Sequence, residues 1–185
     1  MLDHGYHATE SDVAIARAVS PDVSFFRGCE MDVVSEGNGI RLVDHVVIVC
    51  DTPIEGMNLR KVSHADLPRI QEHLDDHMGF SFIAHPYRRH DGISFRQSNF
   101  RPDAVEIASP NIRGDGKRER IAKLAREWGM LMVACSDAHK PRNVGEFCIM
   151  TEQRCLYEGD LAMAVMKGSF VAMERKLSPV EIPRV

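Results

Sequence analysis

The chain has 185 residues, 44% of them hydrophobic and 27% charged, which is ordinary for a soluble globular protein with a buried core. Its formal net charge of −4 at pH 7 predicts no general attraction to nucleic acid or to an anionic membrane surface. No uninterrupted apolar run approaches the length of a membrane span.

Strands and helices alternate along the sequence. Runs rich in apolar and β-branched residues predict strands at 23–34, 42–51, 80–84, 103–108, 130–135, 146–150 and 169–173. The sequence pattern predicts helices at 63–78, at 117–128 and around 160–166. No repeat or linker interrupts this pattern, so we expect one domain over residues 1–185 with a largely parallel sheet or a barrel.

Two of the predicted helices carry end signals. Ser63 is expected to cap the first one, with Asp66 at the capping-box position. In the helix 117–128, apolar residues follow helical spacing and Gly129 is expected to end the helix.

Residues that bind metals or transfer protons lie at or near the predicted strand ends. In folds with parallel strands, chemistry sits at the carboxyl ends of those strands. Asp3 and His4 lie near the start of the chain, and four separate predicted strands supply Glu30, His45, His85, Asp137 and His139. We therefore expect these side chains to converge at one rim and to bind metal.

The segment 133–139, with the sequence VACSDAH, places Asp137 and His139 two positions apart. If the chain stays extended there, both side chains project from one face, as a metal-ligand pair or an acid/base pair. The alternative is a turn in which Asp137 bonds to nearby backbone and His139 is solvated.

The other candidates also have purely structural interpretations. Glu30 could lie on an exposed strand face, since Asp32 shares its parity. His45 could be a core histidine with satisfied hydrogen bonds. His85 could be a polar residue that ends a strand, although the proline that follows it halts regular pairing and favours a ligand role.

Arginines near these residues are suited to phosphate oxygens. Arg88 follows His85 and Arg142 follows His139, and a guanidinium binds phosphate through two parallel hydrogen bonds. Ordinary surface charge is the alternative for each.

Cysteine usage and the N-terminus bear on the compartment. The five cysteines are odd in number and form no Cys-x-x-Cys pair, which argues against a disulfide framework or a thiolate zinc cluster. The first twelve residues are polar and acidic, without the features of a secretory signal, so we expect a cytoplasmic protein.

An ordered set of short motifs carries a resemblance to a known family. The motifs are Asp3-His4-Gly5, Gly28-Cys29-Glu30, His45 in its strand, Ala84-His85-Pro86 and Ser136-Asp137-Ala138-His139. In this order they resemble the PHP domains, the polymerase and histidinol phosphatase family, from residue 1 to about residue 150.

The resemblance implies a distorted (β/α)7 barrel with mainly parallel strands and up to three metals at its C-terminal mouth. The family begins with a His-x-His pair that this sequence lacks, so we expect an N-terminally incomplete barrel. Sheet edges left open by missing strands would favour pairing between two copies of the chain, a homo-oligomer.

The resemblance also implies metal ligands. Glu30 would bridge two metals, and His45 and His85 would hold one of them. Asp137 would hold another.

The third metal position would belong to His4 and His139, with Asp3 supporting it. We expect catalytic roles for His139 and Asp3. His139 or His7 could protonate the leaving oxygen.

The function that follows from the resemblance is hydrolysis of a small phosphomonoester by a metal-bound hydroxide. Nitrogen and oxygen ligands without thiolate suit two or three ions of zinc, manganese or iron. One alternative is a non-catalytic or weakly active metal-binding module, which the missing His-x-His pair favours. Another is a metal hydrolase of non-phosphate bonds, since a bound hydroxide does not dictate the bond.

Overall fold

The computed structural model describes residues 4–37, 39–112, 114–174 and 178–179, which form two sheets and four α-helices. The larger sheet has its strands in sequence order: β1 (Gly28–Gly37), β2 (Ile40–Val49), β3 (Phe80–Ala84), β4 (Ala104–Ala108) and β5 (Leu131–Ala134). The smaller sheet is antiparallel and contains β6 (Phe147–Thr151), β7 (Phe170–Glu174) and β8 (Ser178–Pro179). The helices are α1 (Glu10–Val19), α2 (Leu67–Asp76), α3 (Asp115–Trp128) and α4 (Glu158–Met166).

The expected incomplete (β/α)7 barrel with mainly parallel strands is wrong. The larger sheet is mixed: β1, β2 and β3 pair antiparallel, and only β3, β4 and β5 pair parallel. Over the described residues the two sheets stay open and do not close into a barrel. The reason lies partly in the first connection, because Gly37 pairs with Ile40 and the two residues between them are too few for a parallel crossover. Asn-Gly at 38–39 is a hairpin signal in the sequence, and residue 38 itself lies outside the described part of the chain.

The helix predictions hold in part. The helix predicted at 117–128 is confirmed as α3, and it ends at Gly129 in the left-handed conformation, with φ of 68°. Ser63 does bond to Asp66, through its backbone N–H at 2.9 Å and its hydroxyl at 2.7 Å. These bonds form a turn ahead of the helix, so α2 begins at Leu67 and not at Ser63.

Helix α1 was missed by the sequence analysis. Thr9 and Asp12 form a capping box at its start, in which the Asp12 backbone N–H donates to the Thr9 hydroxyl and the Thr9 backbone N–H donates to Asp12. The Thr-x-x-Asp spacing is the signal that could have revealed it.

Residue alternation gives the larger sheet two different faces. One face is apolar and packs on α2 and α3, with buried side chains that include Met31, Val33, Val46, Ile48 and Ile83. The opposite face is covered by α4 over the part of β2 and β3 that carries Val47, Val49, Phe80 and Phe82.

Farther along β1 and β2, the face that α4 covers also carries Glu30, Asp32 and His45. The candidate site therefore lies beside the α4 packing, on a sheet whose other side is a dry core.

Among the described residues, no helix combines the length and the apolarity that crossing a membrane would take. The expectation of a single domain over residues 1–185 stays a prediction.

Candidate metal centre

Glu30, His45 and His85 lie together, and Glu30 and His85 line a cleft. The Glu30 Oε1 atom is 2.6 Å from His45 Nδ1 and 3.4 Å from His85 Nε2. The rings of His45 and His85 meet edge to face, with centroids 4.8 Å apart. These three residues form one of the groups in the described chain whose donor atoms are close enough to share a metal ion.

Strand register explains why these three residues meet. β1 and β2 pair Asp32 with His45, and β2 and β3 pair His45 with Ala84. Cross-strand partners share a face of the sheet, so Glu30 lies diagonally across from His45. His85 follows directly after β3 and turns into the cleft with a left-handed backbone, φ of 31°. A non-glycine residue in this region is uncommon and needs support from its surroundings.

That support for His85 comes from Glu106 in β4. The His85 backbone N–H donates to Glu106 Oε2 at 2.5 Å, and the Cys135 thiol donates to Oε1 at 2.5 Å. Glu106 is fully buried, and burial raises its pKa to about 8, although the bonds from Cys135 and His85 act to lower it. The sequence analysis missed Glu106; an acid alternating with apolar residues in a buried strand was the available signal.

The donor atoms of the cluster fit a cation. His45 is 5% exposed, and its Nδ1 and the Oε1 of Glu30 are buried without a hydrogen-bond partner. The 2.6 Å contact between these two atoms lacks hydrogen-bond geometry, so both atoms are available to another partner. The contact is shorter than the ~3.3 Å between neighbouring ligands of a tetrahedral metal, so the two atoms would move apart to hold a cation. Imidazole nitrogen and carboxylate oxygen are ligands for zinc and similar divalent metals.

The electrostatics of Glu30 favour the ionised form. Burial raises the pKa of Glu30, but its contacts with His45 and His85 and the nearby His4 outweigh this effect and hold the pKa well below its usual range. Glu30 is therefore a carboxylate at neutral pH, the form that binds metal.

His4 and Asp32 extend the cluster on the other side of His45. His4 Nδ1 is 3.3 Å from Asp32 Oδ1, and His45 Nε2 is 3.7 Å from the same oxygen. His4, Asp32 and His45 form a second group with metal-binding spacing. The exposed-face alternative for Glu30, which its shared parity with Asp32 left open, does not hold, because both acids are less than one-quarter exposed.

Asp137 and His139 lie across the cleft from this cluster and belong to neither metal-spaced group of the described residues. The two side chains do lie together, with 3.6 Å between His139 Nδ1 and Asp137 Oδ1. An extended strand is not the reason, because β5 ends at Ala134 and Asp137 is left-handed, with φ of 43°. They are neighbours in a loop, in which His139 Nδ1 also lies 2.9 Å from the Asp137 carbonyl oxygen. Asp137 also accepts a bond from the Asn111 side chain.

The remaining predicted residues have different positions. Arg88 approaches Asp137, with 3.9 Å between Nη1 and Oδ2, and its side chain is about two-fifths exposed. Arg142 is exposed on the 3₁₀ turn Pro141–Asn143, outside the residues that line the cleft. His7 is buried, and its Nε2 has no hydrogen-bond partner. Asp3 lies outside the described residues.

The cleft joins the two sides into one cavity of about 480 Å³. Its lining includes His4, Glu30 and His85 on one side and Asp137 and His139 on the other.

One part of the chain matches a known protein family. Residues 116–170 match the family model described as PHP-associated. The chain is related to the PHP-domain proteins. The match supports the resemblance through the one motif that it covers, Ser136-Asp137-Ala138-His139. No curated protein and no solved structure matches the chain.

The PHP-associated match covers one side of the cleft only. It spans α3, β5, β6 and α4 and includes Asp137 and His139. Glu30, His45 and His85 lie outside it, so their metal-binding role depends on the geometry described above and on their place in the ordered motifs. The ligand and catalytic assignments stay predictions.

Proposed function

We propose that this PHP-related chain is a metal-dependent phosphoesterase that hydrolyses a small phosphomonoester. The observation that carries the proposal is the meeting of Glu30, His45 and His85 beside a cleft, with buried donor atoms of Glu30 and His45 that lack hydrogen-bond partners. The proposed cofactor is zinc, manganese or iron, because the donors are nitrogen and oxygen.

A divalent cation at this cluster would lower the pKa of a water molecule and offset negative charge on a phosphoryl group. The protein's own residues would bind and orient the substrate. Arg88 is the proposed partner of the phosphate oxygens, since its guanidinium lies near the cleft beside Asp137. His139, which is about three-quarters exposed at the opposite rim, is the proposed donor of a proton to the leaving oxygen.

The test is turnover of a chromogenic phosphomonoester by protein loaded separately with Zn²⁺, Mn²⁺ or Fe²⁺. We expect activity with at least one metal and its loss on chelation. His85→Ala should remove that activity, whereas His77→Ala, at an exposed histidine beyond the end of α2, should not. No turnover with any of the three metals, or equal activity in both variants, would contradict the proposal.

A non-catalytic metal-binding module is the second candidate function. It is favoured by the separation of Asp137 and His139 from the compact cluster, which leaves few groups poised for chemistry beside the proposed cation. Metal binding without turnover of phosphate esters, carboxylate esters or amides would support this module. Turnover of the esters or amides alone would instead indicate a hydrolase of non-phosphate bonds.

A further inference from the structure

Asp32 lies where no ligand was expected. Its Oδ1 atom is 3.3 Å from His4 Nδ1 and 3.7 Å from His45 Nε2. His45 is buried, and its ring lies between the two acids, with Nδ1 toward Glu30 and Nε2 toward Asp32. The two nitrogens of one imidazole therefore point to two different carboxylates.

The spacing around Asp32 is close to the edges of a metal coordination shell. With metal–ligand bonds of ~2.0–2.2 Å, neighbouring donors in a tetrahedral site lie ~3.3–3.6 Å apart. One distance from Asp32, 3.3 Å, lies in this range, and the other, 3.7 Å, lies just above it. The donors of His4 and His45 lie within 4.8 Å of each other.

Hydrogen bonding does not account for the whole arrangement. The 3.7 Å between His45 Nε2 and Asp32 exceeds hydrogen-bond reach, so Asp32 does not orient His45 by a hydrogen bond. The 3.3 Å contact with His4 is within reach and explains the position of that one histidine.

The charge balance points the same way. Within the described residues, every ion-pair partner of Glu30 and Asp32 is a histidine: His4, His45 and His85. Two neighbouring carboxylates that are mostly shielded from solvent would be stabilised by a multiply charged cation held among these histidines.

We infer that Asp32 is a metal ligand and that His4, Asp32 and His45 form a second cation position beside that of Glu30, His45 and His85. With both positions filled, His45 would bridge them as an imidazolate, and its ring proton would be released to solvent on metal binding. The inference builds on the proposed metal-dependent function. The tests below measure metal binding and not activity. The assignment of Asp32 can therefore fail while the protein still hydrolyses phosphoesters, and it can hold for a protein that hydrolyses none.

The first test is titration with Co²⁺, followed by its visible absorption and by equilibrium dialysis. All variants carry His77→Ala, because the His73 and His77 rings lie 4.6 Å apart and could bind Co²⁺ on the protein surface. Asp32→Asn should bind one Co²⁺ fewer per chain than the parent, and the matched control Glu36→Gln, at an exposed acid of the same strand, should bind as many as the parent. Equal Co²⁺ binding by Asp32→Asn and the parent would overturn the inference.

The second test separates direct ligation from a long-range charge effect. Asp32→Cys places a thiol at the proposed ligand position, and a thiolate bound to Co²⁺ produces intense near-ultraviolet charge-transfer absorption. Glu36→Cys measures the background from the native cysteines and from an unligated thiol. We expect the absorption in Asp32→Cys only. Its absence in Asp32→Cys protein with the parent's circular dichroism spectrum would overturn direct ligation.

Discussion

The two sides of the cleft differ in how they are held. Glu30 and His45 lie on paired antiparallel strands, and His85 follows directly after the next strand. Asp137 and His139 lie in a loop after β5, where Asp137 has a left-handed backbone and the His139 side chain is about three-quarters exposed. The first side is a rigid, shielded cluster, whereas the second is a more open loop.

The two sides are therefore suited to different tasks: the strand residues to binding a cation, and the loop to adjusting to a substrate. Donors held by a hydrogen-bonded ladder keep their positions without a ligand, which lowers the entropic cost of binding a cation. A loop that contacts the cluster only across a cleft can adjust to a substrate. We therefore expect the tightest metal binding to depend on Glu30, His45 and His85 and not on the loop that carries Asp137 and His139.

The largest expected effect is on metal affinity, and it compares one acid from each side of the cleft. Glu30→Gln should weaken the tightest Co²⁺ binding more than ~100-fold, because losing even a contact behind a ligand costs ~10–100-fold. Asp137→Asn should weaken the same binding less than ~10-fold, since Asp137 lies outside the compact groups. Calorimetric titration of both variants measures the contrast. Similar losses in the two would show that both sides hold the same ion.

A smaller effect concerns the stability that the fold gains from the contact between the start of β1 and α4. Arg27, just before β1, donates to Glu158 of α4 from its backbone N–H and its Nε, both at 2.9 Å, and the Glu158 side chain is buried. Arg27→Met should cost about 2–3 kcal/mol of unfolding free energy, below the usual range for a broken buried pair because the backbone bond remains.

Urea unfolding measures this change. The control is Arg17→Met, which removes an exposed pair with Glu10 and should cost less than about 1 kcal/mol. Equal losses in the two variants would mean that the Arg27–Glu158 bond does not anchor β1.

A third expected effect is a dependence of stability on pH that belongs to Glu106. Its pKa is raised from 4.5 to about 8 in the folded protein, so between these values the folded state retains a proton that the unfolded state has lost. Stability should therefore fall as the pH rises through this window. Unfolding at pH 5 and pH 8, with metal removed, should show a larger drop for the parent than for Glu106→Gln. An equal loss of stability in the parent and in Glu106→Gln would show that a group other than Glu106 titrates in this range.

Part of this arrangement could be predicted from the sequence. The strands β3 and β4, the helix α3 and the gathering of Glu30, His45 and His85 follow from local pattern and from residue type at strand ends. The direction of β2 did not follow, because the short connection at 37–40 was not recognised as a hairpin and alternating elements suggested a barrel. Asp32 and Glu106 were missed because parity alone does not tell whether a polar residue faces water or a shielded cleft.

The most direct test of the central claim is anomalous X-ray diffraction from crystals of the Zn²⁺-loaded protein at the zinc absorption edge. The account predicts an anomalous peak within bonding distance of Glu30 Oε1, His45 Nδ1 and His85 Nε2. A zinc peak bound elsewhere in the cleft, with these three atoms uncoordinated, would contradict it.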